Sequence, residues 1–242
     1  MKVFLAGATG AIGRRLVPLL IKAGHKVVGT TRSTAKAEVL REAGVEPLVV
    51  DVFDAPALTR VVTAARPEVV MHQLTDLPAG LDPSQMEEGT KRNAHMRRVG
   101  TQNLVAAALA SGARRLIAQS IAWMYAAGPQ PYAEDAPLDI AAAGTRAITV
   151  AGVVVLETLA VSSPPIKGVV LRYGRLYGPG TGSEIPGAAP SLHVDAAAAA
   201  AMLALDKGGG IYNIAEPDGY VSIEKAGCEL GFDPGFRLEP RA

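Results

Sequence analysis

A single cysteine, Cys228, in 242 residues excludes a disulfide framework and any cysteine-cluster metal site. Histidine is scarce as well. His25, His72, His95 and His193 lie far apart with no HxxxH spacing, so no metal site is expected. Neither charge is in excess: 24 Lys and Arg stand against 23 Asp and Glu, a net charge of +1. That balance excludes the basic stripe of a dedicated nucleic-acid binder. The apolar run between Asp195 and Asp206 is ten residues long, against the ~20 that cross a bilayer, so no membrane partner is expected. The first residues lack the pattern of a signal peptide, and a cytoplasmic location is expected. What is present suffices for a core: apolar residues make up 49% and charged residues 19%, which excludes wholesale disorder. The length suits one large domain, or one domain with a small appendage.

Short β-rich runs alternate with helical stretches through the first 120 residues. Strands are expected at 2–6, 25–30, 46–50, 68–72 and 115–119, and helices at 11–23, 34–43, 54–65 and 84–111. Gly24, Gly44 and Gly112 stand at helix ends, and Asp54 with Pro56 marks a helix start. This order demands parallel strands with helical crossovers on both faces, an α/β doubly wound parallel sheet. Later, 145–161 and 194–205 read as helices, 168–172 and 211–215 as strands, and 178–190 as a loop; a short helix opens at Ser222 and stops at Gly231. The six consecutive alanines at 196–201 suit a helix packed close to a sheet.

Directly after the first strand comes Gly7-Ala-Thr-Gly10-Ala-Ile-Gly13, which opens the first helix. Gly7 suits the tight strand-to-helix turn, Gly10 leaves room for a pyrophosphate against bare main chain, and Gly13 permits close helix–sheet packing. The helix N-terminus offers free N–H groups and a positive dipole end to phosphates.

This GxxGxxG spacing resembles the extended or atypical branch of the short-chain dehydrogenase/reductase superfamily. The likeness continues in Val50-Asp51-Val52, Met71-His72-Gln73-Leu74, Gly100-Thr101-Gln102-Asn103-Leu104, the stretch from Leu171 to Gly180, and Leu192-His193-Val194-Asp195. It covers residues 1–215 in matching order. The resemblance implies a Rossmann domain over 1–175 and a small substrate-side region over 176–242, with 193–215 returning to the core. It implies a bound NAD(P) held by Gly7, Thr9, Gly10, Ala11, Ile12, Gly13, Asp51, Val52, Gln73 and Leu74. A homodimer is a family-level expectation.

NAD-preferring members end the second strand with an acidic residue that accepts from the ribose 2′-OH. Here Arg32 stands at that place, between Thr31 and Ser33. A guanidinium binds a 2′-phosphate through two hydrogen bonds, so NADP(H) is expected over NAD(H). Arg14, just past the third glycine, is either a further phosphate contact or simply exposed.

The chemistry of the resembled family uses a Tyr–Lys pair spaced YxxxK, in which the lysine lowers the tyrosine pKa and the tyrosine moves the proton. No tyrosine of this chain has a lysine four residues on. Aligning Glu157 with the family's glutamate puts Thr149 and Val153 at the tyrosine and lysine positions, and the likeness of Ala118-Gln119-Ser120-Ile121-Ala122 to the family's Ser-Ser stretch puts Ile121 at the catalytic hydroxyl. Ser120 and Tyr125 are the remaining candidate catalytic groups, and Tyr173 and Arg175 the candidate substrate contacts. Asparagine often stands at the Arg175 position in sugar-nucleotide epimerases, which argues against a nucleotide sugar and for a small molecule. Two readings stay open: an NADP(H)-dependent oxidoreductase or epimerase/dehydratase-like enzyme on a small carbonyl or hydroxyl compound, or a catalytically silent dinucleotide-binding sensor or partner-binding protein. An enzyme that keeps its cofactor only as a structural element is a third, weaker one.

Overall fold

The computed structural model describes residues 1–239. Seven strands form one parallel sheet: β1 (Lys2–Ala6), β2 (Lys26–Thr31), β3 (Glu46–Val49), β4 (Val69–His72), β5 (Arg115–Ile121), β6 (Lys167–Tyr173) and β9 (Gly210–Ile214). Their spatial order is β3-β2-β1-β4-β5-β6-β9, the doubly wound arrangement expected. The chain leaves β1 toward β2 and β3, then returns to lay β4 on the other side of β1. That reversal opens a crevice at the C-terminal ends of β1 and β4, where open α/β sheets bind ligands.

Alternate strand residues feed two cores. Val3, Leu5, Met71 and Leu171 face helices α1 (Ala11–Lys22) and α7 (Val194–Leu203). Phe4, Ala6, Val70 and Val170 face α3 (Ala55–Ala65), α5 (Thr101–Ser111) and α6 (Gly144–Val161). The alanines of α7 bring it against α1, and Arg15 of α1 pairs with buried Asp195 of α7, Nη2 to Oδ2 at 3.1 Å. Helix α2 (Thr34–Glu42) starts at Ser33, whose hydroxyl caps Lys36 N–H. Asp54 caps α3 by accepting from Ala57 N–H at 2.9 Å.

Three features depart from the sequence reading. The helical stretch expected over 84–111 is continuous but not uniform: α4 (Met86–His95) passes through a π turn at Met96–Gly100 into α5. Two short strands, β7 (Arg175–Tyr177) and β8 (Ser191–His193), pair in parallel across the glycine- and proline-rich loop. Helix α6 is long and apolar enough by composition to cross a membrane. Its Val150, Val153 and Leu156 are buried in the protein, and its Glu157 meets Arg172 of β6.

Candidate dinucleotide site

The phosphate turn is shaped by collisions that only glycine avoids. Gly7 has φ +94°, and a Cβ there would lie 2.5 Å from the Gln73 carbonyl oxygen. Gly13 is tighter: its Cβ would meet Gly7 O at 2.2 Å and Ala8 C at 2.7 Å. Gly13 therefore serves the turn itself more directly than helix–sheet spacing. At Gly10 a Cβ would have one neighbour, Gly7 O at 3.3 Å, so the main chain there is open toward the groove. Gly10 is the N-cap of α1 and offers no side-chain cap. The amides of Ala11, Ile12 and Gly13, at the first helical positions, have no intrahelical acceptor. Ile12 buries its side chain in the core, so only its backbone is offered to a ligand.

A groove of about 400 Å³ runs from this turn and is lined by Gly7, Thr9, Gly10, Arg32, Val52, Gln73 and Leu74, all expected from sequence. Thr30, Thr31, Ser33, Lys36, Val50, Thr75 and Met96 complete the wall. Lys36 is a second cation beside Arg32 that the strand-end argument overlooked, because it lies one helical turn into α2. Asp51 stands outside the lining, with Oδ1 accepting from Phe53 N–H at 2.9 Å. Arg14 is turned toward Gly180. The Gly-Thr-x-Asn motif braces these walls: Asn103 donates to Val52 O at 2.9 Å, and Thr101 Oγ1 lies 3.0 Å from His72 Nε2.

His72 is fully buried. Leu74 N–H donates to its Nδ1 at 3.3 Å, so Nε2 carries the proton and donates to Thr101. Burial first, and the charge of Arg97 second, pull its pKa from 6.5 to about 4. A depressed folded pKa contributes stability that is complete above pH 6.5 and fades as pH falls toward about 4. The expected loss is on the order of 3 kcal/mol. Urea unfolding across this range measures it, and His72→Gln, which takes up no proton, should flatten the upper part of the profile.

The two candidate catalytic hydroxyls, at the end of β5 and in the loop after it, are both engaged by protein partners. Ser120 is buried and donates to Glu157 Oε1 at 2.6 Å. Tyr125 is buried, donating to Asn213 Oδ1 at 2.6 Å and accepting from Arg172 Nη1 at 2.7 Å. Burial raises its pKa. Both are members of a closed polar network built on the Glu157–Arg172 pair, which a sequence cannot show because its members come from five separate segments. At the positions of the resembled family's hydroxyl and ammonium, Ile121 and Val153 pack with Met124 and Val150 in an apolar cluster. Thr149 donates its hydroxyl to Thr145 O at 3.1 Å.

Two polar side chains at the sheet's C-terminal edge are left over. Gln73 and Tyr173 face each other, yet Gln73 Nε2 and Oε1 and Tyr173 Oη have no partner at hydrogen-bond geometry among the described residues. Buried polar atoms without partners are uncommon, and Gln73, directly after β4, also lines the groove where a dinucleotide would cross from β1 to β4. Open main chain at Gly10, cations at Arg32 and Lys36 and these orphaned atoms fit such a cofactor. Arg175 is exposed and stacks over the Trp123 ring, 4.5 Å from its centroid.

The chain is 42% identical over 227 residues to a 3-diazoavenalumate denitrifying reductase of Streptomyces sp., spanning 85% of this chain and 72% of the relative. A shorter match, 51% identical over 43 residues, covers 18% of this chain and 13% of the NADPH-dependent methylglyoxal reductase of Saccharomyces cerevisiae. The fold is that of the UDP-glucose 4-epimerase of Thermotoga maritima, solved with UDP-glucose, at TM-score 0.79 and 19% identity over 98% of this chain and 94% of that one. The family model of the NAD dependent epimerase/dehydratase family matches residues 3–191. With the phosphate turn, the switch-point groove and the parallel sheet in matching order, this chain belongs to the NAD-dependent epimerase/dehydratase family.

Proposed function

We propose that the protein is an NADP(H)-dependent reductase whose acceptor takes hydride without drawing a proton from the enzyme, and that this acceptor is a small aryl diazo compound. The observation that carries the reading is the apolar cluster of Ile121, Val150 and Val153 where a proton donor would find its supporting hydroxyl and ammonium, with Thr149 at the donor's own position bonded to Thr145 O. Reducing a ketone builds negative charge on oxygen, which needs a donor to stabilise and quench it. Beside Ile121 and Val153 that charge finds none. A diazonium acceptor reverses the demand, because it arrives as a cation and leaves neutral. Hydride adds to the terminal nitrogen to give a neutral diazene. The diazene then loses dinitrogen: its C–N and N–H bonds break, and its own hydrogen passes from nitrogen to the ring carbon, forming the C–H bond. Nothing in that balance asks the protein for a proton.

The bound coenzyme supplies the hydride. The turn at Gly7–Gly13 holds its diphosphate, and Arg32 with Lys36 holds a 2′-phosphate. The diazo substrate in the name of the 42% identical relative supports the acceptor class.

Two measurements test this. An arenediazonium salt should drive enzyme-dependent NADPH oxidation with dinitrogen release, while aldehydes, ketones and enones give none. Turnover of a ketone, or no turnover of the diazonium, overturns the acceptor. No turnover of anything despite tight NADPH binding would favour the silent sensor. For the coenzyme, the paired substitution Arg32→Ala and Lys36→Ala should weaken NADPH binding at least about tenfold and leave NADH unchanged. Equal affinities of the native protein for NADPH and NADH would defeat the preference.

A further inference from the structure

We propose that Arg97 is a coenzyme-binding residue that grips the oxygen atoms of the nicotinamide-side ribose phosphate, the half of the dinucleotide beyond the reach of the phosphate turn and Arg32. The inference rests on the coenzyme reading above and goes beyond it by naming a residue.

Three arginines are buried among the described residues: Arg97, Arg115 and Arg172, at 7%, 8% and 3% exposure. Two are saturated. Arg115 donates to the carbonyls of Ala204, Asp206, Lys207 and Gly208. Arg172 holds both oxygens of Glu157, the Tyr125 hydroxyl and the Glu134 carbonyl. Arg97 makes no hydrogen bond and no ion pair with any described residue. Arg97 buries its stem while its guanidinium nitrogens keep contact with solvent, where a ligand can reach them; a largely buried cation left without a protein partner is costly. Burial pulls its pKa down to about 10, so it stays charged at neutral pH. Glu157 is the nearest candidate to neutralise it, but both Glu157 oxygens are taken by Arg172, and one also by Ser120.

Its position points to the ligand. Arg97 lies in the π turn at Met96–Gly100, a rare interruption that recurs at functional positions. Its neighbour Met96 lines the groove. Its charge acts on His72 at the end of β4 and feels Glu157 of α6. That places it on the β4 side of the switch point, over which the second half of a dinucleotide lies. Helix α6 brings Val153 to the position of the resembled family's lysine, and its one cation, Arg146, is held by Asp139 and the carbonyls of Trp123 and Tyr125.

Calorimetric titration of native protein, Arg97→Met and Arg97→Lys should use three probes. Adenosine 2′,5′-bisphosphate occupies only the adenosine half; 2′-phospho-ADP-ribose adds the second ribose phosphate; NADPH adds the ring. Arg97→Met should bind the bisphosphate within about twofold of native, and bind the two longer probes at least about tenfold more weakly. Arg97→Lys should fall between. Without ligand, Arg97→Met should melt no lower than native, because it removes an unpaired charge. Native-like NADPH affinity in Arg97→Met overturns the proposal. So does equal weakening of all three probes, or a lower melting temperature with unchanged affinities, which would mark Arg97 as structural. Failure of the native protein to bind any probe would sink the coenzyme reading itself. Should Arg97→Met fail to fold, Arg97→Gln carries the same comparison.

Discussion

Gly7→Ala is expected to destabilise the protein by about 2–4 kcal/mol and to weaken coenzyme binding more than about a hundredfold. Two penalties coincide at this position. The backbone at φ +94° disfavours any side chain, and the added Cβ falls 2.5 Å from Gln73 O and 2.7 Å from Gln73 C. Backbone cannot swing aside as a side chain can. Gln73 is fixed because its N–H donates to Ala6 O at 2.9 Å and the preceding residue is in register with β1, His72 opposite Ala6. The turn must therefore move, and the amides at the start of α1 move with it. Thermal unfolding and NADPH titration read the two effects; a melting temperature lower by roughly 5–15 °C is expected for a domain of this size. Gly112→Ala is the control: Gly112 also has positive φ, +73°, but no atom lies within 4 Å of its Cβ position. It should cost only about 1 kcal/mol and leave binding untouched.

Glu157→Gln should cost about 3–5 kcal/mol, because it strands Arg172 as a buried, unneutralised cation. The two side chains are 5% and 4% exposed and meet at 2.7 Å. Burial works against the charge of Arg172, and its hydrogen bonds with Glu157 overcome that, so its pKa is raised on balance. The damage should spread: Ser120 loses its acceptor oxygen's charge, and Tyr125, held by the same guanidinium, carries the stacked Tyr132 at 5.0 Å. Removing both charges together, as Glu157→Leu with Arg172→Met, should recover much of the loss. Chemical unfolding of the two single variants and the double gives the cycle. A double variant as unstable as the sum of its singles would show that the pair is not coupled and that the network has another keystone.

Much of this was legible before any coordinates. The strand-to-helix turn was readable because glycine spacing is local: Gly7, Gly10 and Gly13 lie within seven residues, and the demands they meet belong to one turn. Arg32 was readable because it ends a strand that must abut the crevice. Lys36 was missed since it enters the groove from a helix one turn later. The missing proton relay was also visible, as a pattern that should occur on one helix face and does not. The fates of Ser120 and Tyr125 were not visible. Their roles depend on Glu157, Arg172 and Asn213, bonded to them across 37 to 88 positions and brought together only when β5, β6, β9 and α6 pack.

The sequence by itself determined the parallel α/β sheet, the position of the phosphate turn and the absence of a Tyr–Lys pair, since each is written in contiguous residues with a fixed local geometry. Only the tertiary structure decided which polar groups face a ligand and which saturate one another. Pairing in a core is settled by distance and desolvation between segments remote in the chain. By that measure Ser120 and Tyr125 are spent on the fold, while Arg97, inconspicuous in a helical stretch, is left with its charge unanswered.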